Sequence, residues 1–163
     1  MSSNIINLLW ESFLETILMV GVSGGLGAAI GIPLGVFLFV TSPKGIMPKP
    51  YVNRIIGTIV NAVRSTPFII LLVAIIPFTR LIVGSSIGTV AAIVPLTIAA
   101  APLIARLVET SLREVDKGLI EAAQSMGATN TQIICKVLLP EAMPGILAGL
   151  TIAFVALVGS SAM

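Results

Sequence analysis

Histidine is absent from this chain of 163 residues, and cysteine occurs once, at Cys135. These absences exclude a zinc site built from His and Cys, a catalytic triad that uses His, and a disulfide within the chain. We therefore predict no metal site, no catalytic residue and no enzymatic activity for the chain itself.

Charged residues are also scarce, at 10%, whereas hydrophobic residues make up 56% and the mean hydropathy is +1.11. A soluble domain typically carries about 25% charged residues, and a soluble chain of this length has no interior large enough for so much apolar surface. The composition therefore indicates an integral membrane protein. The net charge of +2 is too small to suggest binding to nucleic acid.

Four apolar segments predict an all-α, polytopic membrane helix bundle in a single domain, residues 1–163. About 20 apolar residues cross a bilayer. The predicted spans are residues 17–40, 55–79, 81–105 and 146–163, and the polar segment 106–141 joins the last two. A turn near Arg80 and Gly84 is expected between the second and third spans, because one helix through both would be too long.

Basic residues are distributed unevenly between the two sides of this bundle. The loop after the first span and the segment 106–141 together carry seven of them, whereas the opposite side carries only Arg80: Lys44, Lys49, Arg54, Arg106, Arg113, Lys117 and Lys136. The positive-inside rule places the richer side in the cytoplasm and the N-terminus outside. Cys135 then lies in a reducing compartment as a small apolar residue.

Glycines recur every four residues in the first span, at Gly27, Gly31 and Gly35, with the same spacing at Gly21 and Gly25. Small residues at this spacing let two helix backbones approach closely in lipid. Two interpretations remain open, namely tight packing within one subunit and a seam between two subunits.

Arg64 lies in the second predicted span, three residues before Pro67. An arginine within a span usually faces protein or a water-filled cavity. Arg64 is therefore a candidate for the transport path or for a structural tie to the cytoplasmic loops. The alternative is that its side chain extends to the inner headgroups.

The polar segment contains the signals of two short helices. Asp116 suits an N-cap, Gly127 suits the left-handed residue after a helix, and Thr129 with Gln132 predicts a capping box. Leu119, Ile120, Ala123 and Met126 are predicted to share one apolar face, and Pro140 is predicted to end the second helix. A DNA-binding helix-turn-helix is disfavoured, because the acidic residues balance the basic ones.

The same segment resembles the "EAA" signature of the permease subunits of bacterial ABC importers. The matching residues are Glu121, Ala122, Ala123, Gly127, Val137, Leu139 and Pro140, with Val137 in place of the family's isoleucine. Further stretches, such as Arg64 to Val73 and Lys136 to Ala142, are similar to the methionine importer permeases. The resemblance extends over nearly all of the chain.

The resemblance implies a type I importer permease that carries D- and L-methionine across the bacterial inner membrane. It implies that the residues of the signature couple the chain to two ATPase subunits, which bind the ATP, so that the permease has no cofactor of its own. A second permease copy and an extracytoplasmic substrate-binding lipoprotein complete the implied assembly. The family has a core of five spans, and since four are predicted here, we expect the fifth to be missing by truncation.

Residues for the translocation path are less clearly specified. Besides Arg64, the candidates are Gly159, Ser160 and Met163 in the last predicted span, for which ordinary helix packing is the alternative. A permease for another amino acid or small solute remains open. A secondary transporter or channel would need acidic residues within the spans, where none is predicted.

Overall fold

A computed structural model of the protein describes residues 2–162. These residues form seven α-helices and one π-helical segment, and no strand occurs among them. The elements are α1 (Ser2–Val40), α2 (Pro50–Ser65), α3 (Phe68–Val83), α4 (Thr89–Arg113), α5 (Lys117–Ser125), α6 (Asn130–Ile133), the π segment (Ile134–Leu138) and α7 (Leu139–Ser161). The predicted all-α membrane bundle is confirmed.

Among the described residues, three helical stretches are long and apolar enough to cross a membrane: Ile5–Val40, Thr89–Arg113 and Asn130–Ser161. They pack on one another around a hydrophobic cluster whose centre includes Leu96, Ile104, Val108, Ile146 and Ala153. We call these three stretches the core bundle. The first is longer than its predicted range of 17–40, because no helix-breaking residue lies between Ser2 and Gly21.

Glycines of α1 make the closest approach in the core bundle. A Cβ atom added at Gly27 would lie 2.6 Å from Ala100 Cβ, and one added at Gly35 would lie 2.5 Å from the carbonyl oxygen of Ala105. Packing within one subunit is therefore confirmed for this face of α1. Gly21 and Gly25 lie on another face, where an added Cβ would meet no atom within 4 Å.

The second predicted span, 55–79, is not a continuous helix. α2 and α3 meet at an angle of 110° at Thr66 and Pro67. Thr66 is extended (φ −82°, ψ 125°), as is favoured for a residue before proline, and Pro67 has no N–H to continue the helical hydrogen bonds. We call α2 and α3 together the bent pair.

The third predicted span, 81–105, is displaced along the chain. α3 continues to Val83 and ends at Gly84, whose φ of 81° is left-handed, so the predicted turn near Gly84 is confirmed. α4 runs from Thr89 to Arg113 and thus passes the charged residues that were predicted to end it. Those charges pair with one another within the helix.

Pro140 does not end a helix, contrary to expectation. The helix from Asn130 continues through the π segment into α7, and the part of the segment 106–141 outside the long helices is therefore limited to residues 114–129. In the π segment, Leu139 N–H donates to the carbonyl of Ile134, five residues back. The wider turn accommodates Pro140, which can donate no hydrogen bond.

Candidate functional site

α5 is the short helix that carries the Glu-Ala-Ala signature, and both of its ends are fixed by local hydrogen bonds. Asp116 Oδ1 accepts a hydrogen bond from the backbone N–H of Gly118 at 2.7 Å, which confirms the predicted N-cap. Such a cap satisfies one of the otherwise unpaired donors of the first turn.

The C-terminal end of α5 is a Schellman motif. The N–H of Ala128 donates to the carbonyl of Ala123 at 3.1 Å, and the N–H of Gly127 donates to that of Gln124 at 2.9 Å. Gly127 has a φ of 78°, as predicted for a residue that follows a helix in the left-handed conformation. A glycine here reverses the chain without a steric cost from Cβ.

Two residues after Gly127, Thr129 begins the predicted capping box at the start of α6. Thr129 N–H donates to Gln132 Oε1 at 2.9 Å, and Gln132 N–H donates to Thr129 Oγ1 at 3.4 Å. The connection between α5 and the long C-terminal helix is therefore short, and each of its turns has a defined geometry.

The two halves of the signature lie together in the fold. Ala123 and Leu138 are buried in the hydrophobic cluster of the core bundle, and Val137 and Leu139 pack against it. One face of α5 is thus attached to the π segment and, through the cluster, to α4 and α7. A displacement of α5 must consequently be shared with the core bundle.

The other face of α5 is exposed. It presents Glu121 and Ala122, and Pro140 at the start of α7 is exposed as well. Leu119 is 43% exposed and Met126 is 82% exposed, whereas Ala123 is buried, so the predicted apolar face of α5 is only partly covered by the rest of the chain. Sequence reasoning missed these two apolar side chains as candidates for contact with a partner, although the position of Met126 just before Gly127 indicates the end of the helix.

A shallow groove of about 210 Å³ separates α5 from the loop that follows α1. Glu121, Gln124 and Lys117 line it on the side of α5, and Lys44 and Ile46 line it on the side of the loop. The lining combines apolar side chains with charges of both signs, and it includes Glu121 and Gln124 of the exposed face of α5.

A buried carboxylate lies in α4, where sequence reasoning identified no site. Glu109 is 3% exposed and accepts hydrogen bonds from Arg106 and from Arg113, the latter at 2.6 Å. Arg106 Nη2 also donates to the carbonyl oxygen of Gly57 in α2 at 2.9 Å. The spacing of three and four residues around Glu109 is the signal that could have revealed the ion pairs.

The candidates for the translocation path are dispersed. Arg64 is exposed in the last turn of α2, and its side chain forms no hydrogen bond or ion pair within residues 2–162. Gly159 is exposed, and Ser160 Oγ donates to the carbonyl of Ala156 at 3.1 Å. Met163 lies outside the described residues. Within the described part of the chain, no group of three or more potential metal ligands occurs.

Comparisons with known proteins agree with this architecture. Residues 31–163 match the family described as binding-protein-dependent transport system inner membrane component. A probable D-methionine transport system permease protein of Vibrio cholerae is 57% identical over 157 residues, which cover 96% of this chain and 70% of that protein. The D-methionine transport system permease protein of Escherichia coli is 55% identical over 163 residues, which cover 100% of this chain and 75% of that protein.

The fold matches a solved structure equally closely. A chain of the inward-facing MetNI methionine ABC transporter superposes with a TM-score of 0.97 at 55% identity, over 100% of this chain and 76% of that one. The bent pair, α5 and the core bundle thus correspond to parts of a known transporter.

Proposed function

Because the chain belongs to the family of binding-protein-dependent transport system inner membrane components, and within it to the methionine permeases, we propose that it forms the translocation path of an ATP-driven importer for methionine and related amino acids. The superposition over the full chain on a methionine ABC transporter is the observation that carries this proposal.

α5 is the proposed contact with the ATPase subunit. Its exposed face offers Glu121 as a polar anchor, Ala122 as a small residue that allows close approach, and Leu119 and Met126 as apolar contacts. The exposed face of this short, capped helix thus has apolar side chains surrounded by polar ones. Such a surface is suited to bind in a cleft of another protein.

The buried face of α5 then transmits the movement. ATP that binds to the partner ATPase subunits closes them and displaces the docked helix. Since Ala123, Val137 and Leu139 pack in the hydrophobic cluster of the core bundle, the displacement reaches α4 and α7. These spans tilt between inward-facing and outward-facing states, and Gly127 keeps the turn after α5 tight.

The rest of the proposed assembly follows the family. Two copies of the permease bind two ATPase subunits, with a substrate-binding lipoprotein outside the bacterial inner membrane and the N-terminus on that outer side. Arg64, Gly159, Ser160 and Met163 remain the proposed residues of the path. A path of low polarity is adequate for methionine, whose side chain is an apolar thioether.

The variant Glu121→Lys tests the contact with the ATPase. Reversing the charge of the polar anchor should lower ATP-driven uptake of radiolabelled methionine about tenfold or more, through loss of a charge-assisted hydrogen bond. The amount of ATPase subunit that co-purifies should fall in parallel, while the chain remains in the membrane. Thr131→Lys, at an exposed position of α6, is the matched control and should leave both measurements near wild type. Normal uptake and normal co-purification for Glu121→Lys would refute the docking role.

A further inference from the structure

The guanidinium group of Arg106 connects two helices that otherwise touch little. Nη1 donates to Glu109 on the same helix, α4, and Nη2 donates to the carbonyl oxygen of Gly57 in α2. Because Glu109 is buried and also accepts from Arg113, its carboxylate holds the Arg106 side chain in place. The link to α2 is thus made by a side chain with a fixed orientation.

α2 has few other attachments to the core bundle. Of its sixteen residues, only Gly57 and Val60 are buried. Asn53 supplies the other polar attachment, by donating to the carbonyl of Leu38 at the end of α1 at 2.6 Å and to Thr41 Oγ1 at 3.1 Å. Two polar side chains therefore hold α2, Asn53 near its start and Arg106 of α4 near its middle.

The residue at position 57 suits this contact. A Cβ atom at Gly57 would lie 3.2 Å from Arg106 Nη2, so that a larger side chain would push the guanidinium away. Arg106 Nε is buried and has no hydrogen-bond partner in the described part of the chain. One terminal nitrogen of Arg106 thus donates to α4 and the other donates to α2. In a bidentate pair with Glu109, by contrast, two nitrogens such as Nε and one Nη would both donate to the carboxylate.

The contact lies between α4, which moves with α5 in the proposed mechanism, and the helix that leads to the bend. α4 ends at Arg113 and leads within three residues into α5, and α2 leads to the bend at Thr66 and Pro67, next to Arg64. We propose that Arg106 is a positioning residue, which makes α2 and the bend follow the displacement of α4 and α5 during transport. This inference rests on the function proposed above, because it assumes that α5 is displaced by the ATPase subunits.

The variant pair Arg106→Lys and Arg113→Lys tests the inference in the assembled importer, reconstituted with its ATPase subunits and binding protein in proteoliposomes. Both variants keep a positive charge beside Glu109, but only Arg106 contacts α2. Lysine cannot bond to two helices in the geometry of a guanidinium. The ratio of methionine molecules taken up to ATP molecules hydrolysed should fall about fivefold for Arg106→Lys and stay near the wild-type value for Arg113→Lys. Equal ratios for the two variants would overturn the inference.

A distance measurement keeps this test separate from the proposed function. Spin labels at Thr58→Cys in α2 and Thr110→Cys in α4, both exposed, report the position of α2 relative to α4 in a Cys135→Ser background. The distance distribution should broaden in Arg106→Lys and stay narrow in Arg113→Lys, whether or not the complex transports methionine. An unchanged distribution in Arg106→Lys refutes the positioning role, whereas absent methionine uptake by the wild-type complex refutes the proposed function.

Gly57→Val is the alternative test if the Arg106→Lys permease does not assemble with its ATPase subunits. The branched side chain displaces Nη2 while the Arg106–Glu109 pair remains, and Thr58→Val at the next, exposed position is its control. The inference is supported if uptake per ATP hydrolysed falls in Gly57→Val and not in Thr58→Val. Normal coupling in an assembled Gly57→Val complex contradicts it.

Discussion

The core bundle and the bent pair are attached by different forces. In the core bundle, glycines of α1 lie against the backbone of α4, and α4 buries twelve of its residues. In the bent pair, α2 buries two residues and α3 buries only Thr79, while Ile69, Val73 and Leu81 are more than half exposed. Because lipid is as apolar as leucine, apolar side chains alone do not bring helices together in a membrane. Close backbone approach therefore holds the core bundle, whereas polar contacts of Asn53 and Arg106 hold α2 of the bent pair.

Gly35→Ala tests the role of close approach and has the largest expected effect. The new Cβ would lie 2.5 Å from the carbonyl oxygen of Ala105 and 2.8 Å from Val108 Cβ, so that α1 and α4 must separate. Overpacking of this kind costs about 1–3 kcal/mol. Thermal unfolding of the purified chain in detergent should show the loss, at roughly 2–4 °C per kcal/mol.

Gly25→Ala is the matched control on the same helix. An added Cβ there meets no atom within 4 Å, so its unfolding temperature should equal or slightly exceed that of the wild type. If Gly25→Ala lost as much stability as Gly35→Ala, the difference between the two faces of α1 would not arise from contact with α4.

Local signals made the ends of α5 and α6 predictable. Asp116, Gly127 and Thr129 act through backbone groups no more than five residues away, and their roles follow from residue type and spacing.

The effect of proline was less predictable, because the sequence contains prolines that end a helix and prolines that do not. Pro95 and Pro102 lie inside α4, whereas α2 ends just before Pro67, so the presence of proline alone could not predict the bend.

Long-range contacts explain most of what sequence reasoning missed. Arg106 and Gly57 are 49 positions apart, and nothing in either neighbourhood indicates the hydrogen bond between them. The exposure of Met126 likewise depends on how α5 is rotated against the π segment, which the pattern of apolar residues does not indicate. The signature itself was identified from the sequence, but the division into a buried and an exposed face required the fold.

Asn53→Ala tests whether polar contacts hold the bent pair, with a smaller and more local effect. The change removes the hydrogen bonds from Asn53 Nδ2 to Leu38 O and to Thr41 Oγ1, at 2.6 and 3.1 Å. The loss of such bonds corresponds to about 1 kcal/mol, or about fivefold faster amide hydrogen exchange in α2. Exchange in α4 should not change. Asn61→Ala, at an exposed position of the same helix, is the control, and equal acceleration by both variants would contradict the role of Asn53.

The smallest effect is expected at the far end of the bent pair, in the loop between α3 and α4. Arg80 Nε donates to Ser86 Oγ at 3.1 Å, and both side chains reach solvent. Solvent competes for an exposed hydrogen bond of this kind. Arg80→Ala and Ser86→Ala should therefore each change the free energy of unfolding by no more than about 0.5 kcal/mol. Because the two variants remove the same bond, amide exchange of Ile87 should accelerate equally in both and no further in the double variant. A larger effect of Arg80→Ala alone would mean that Arg80 contributes to the attachment of α3 through another contact, and that the bent pair is held at both of its ends.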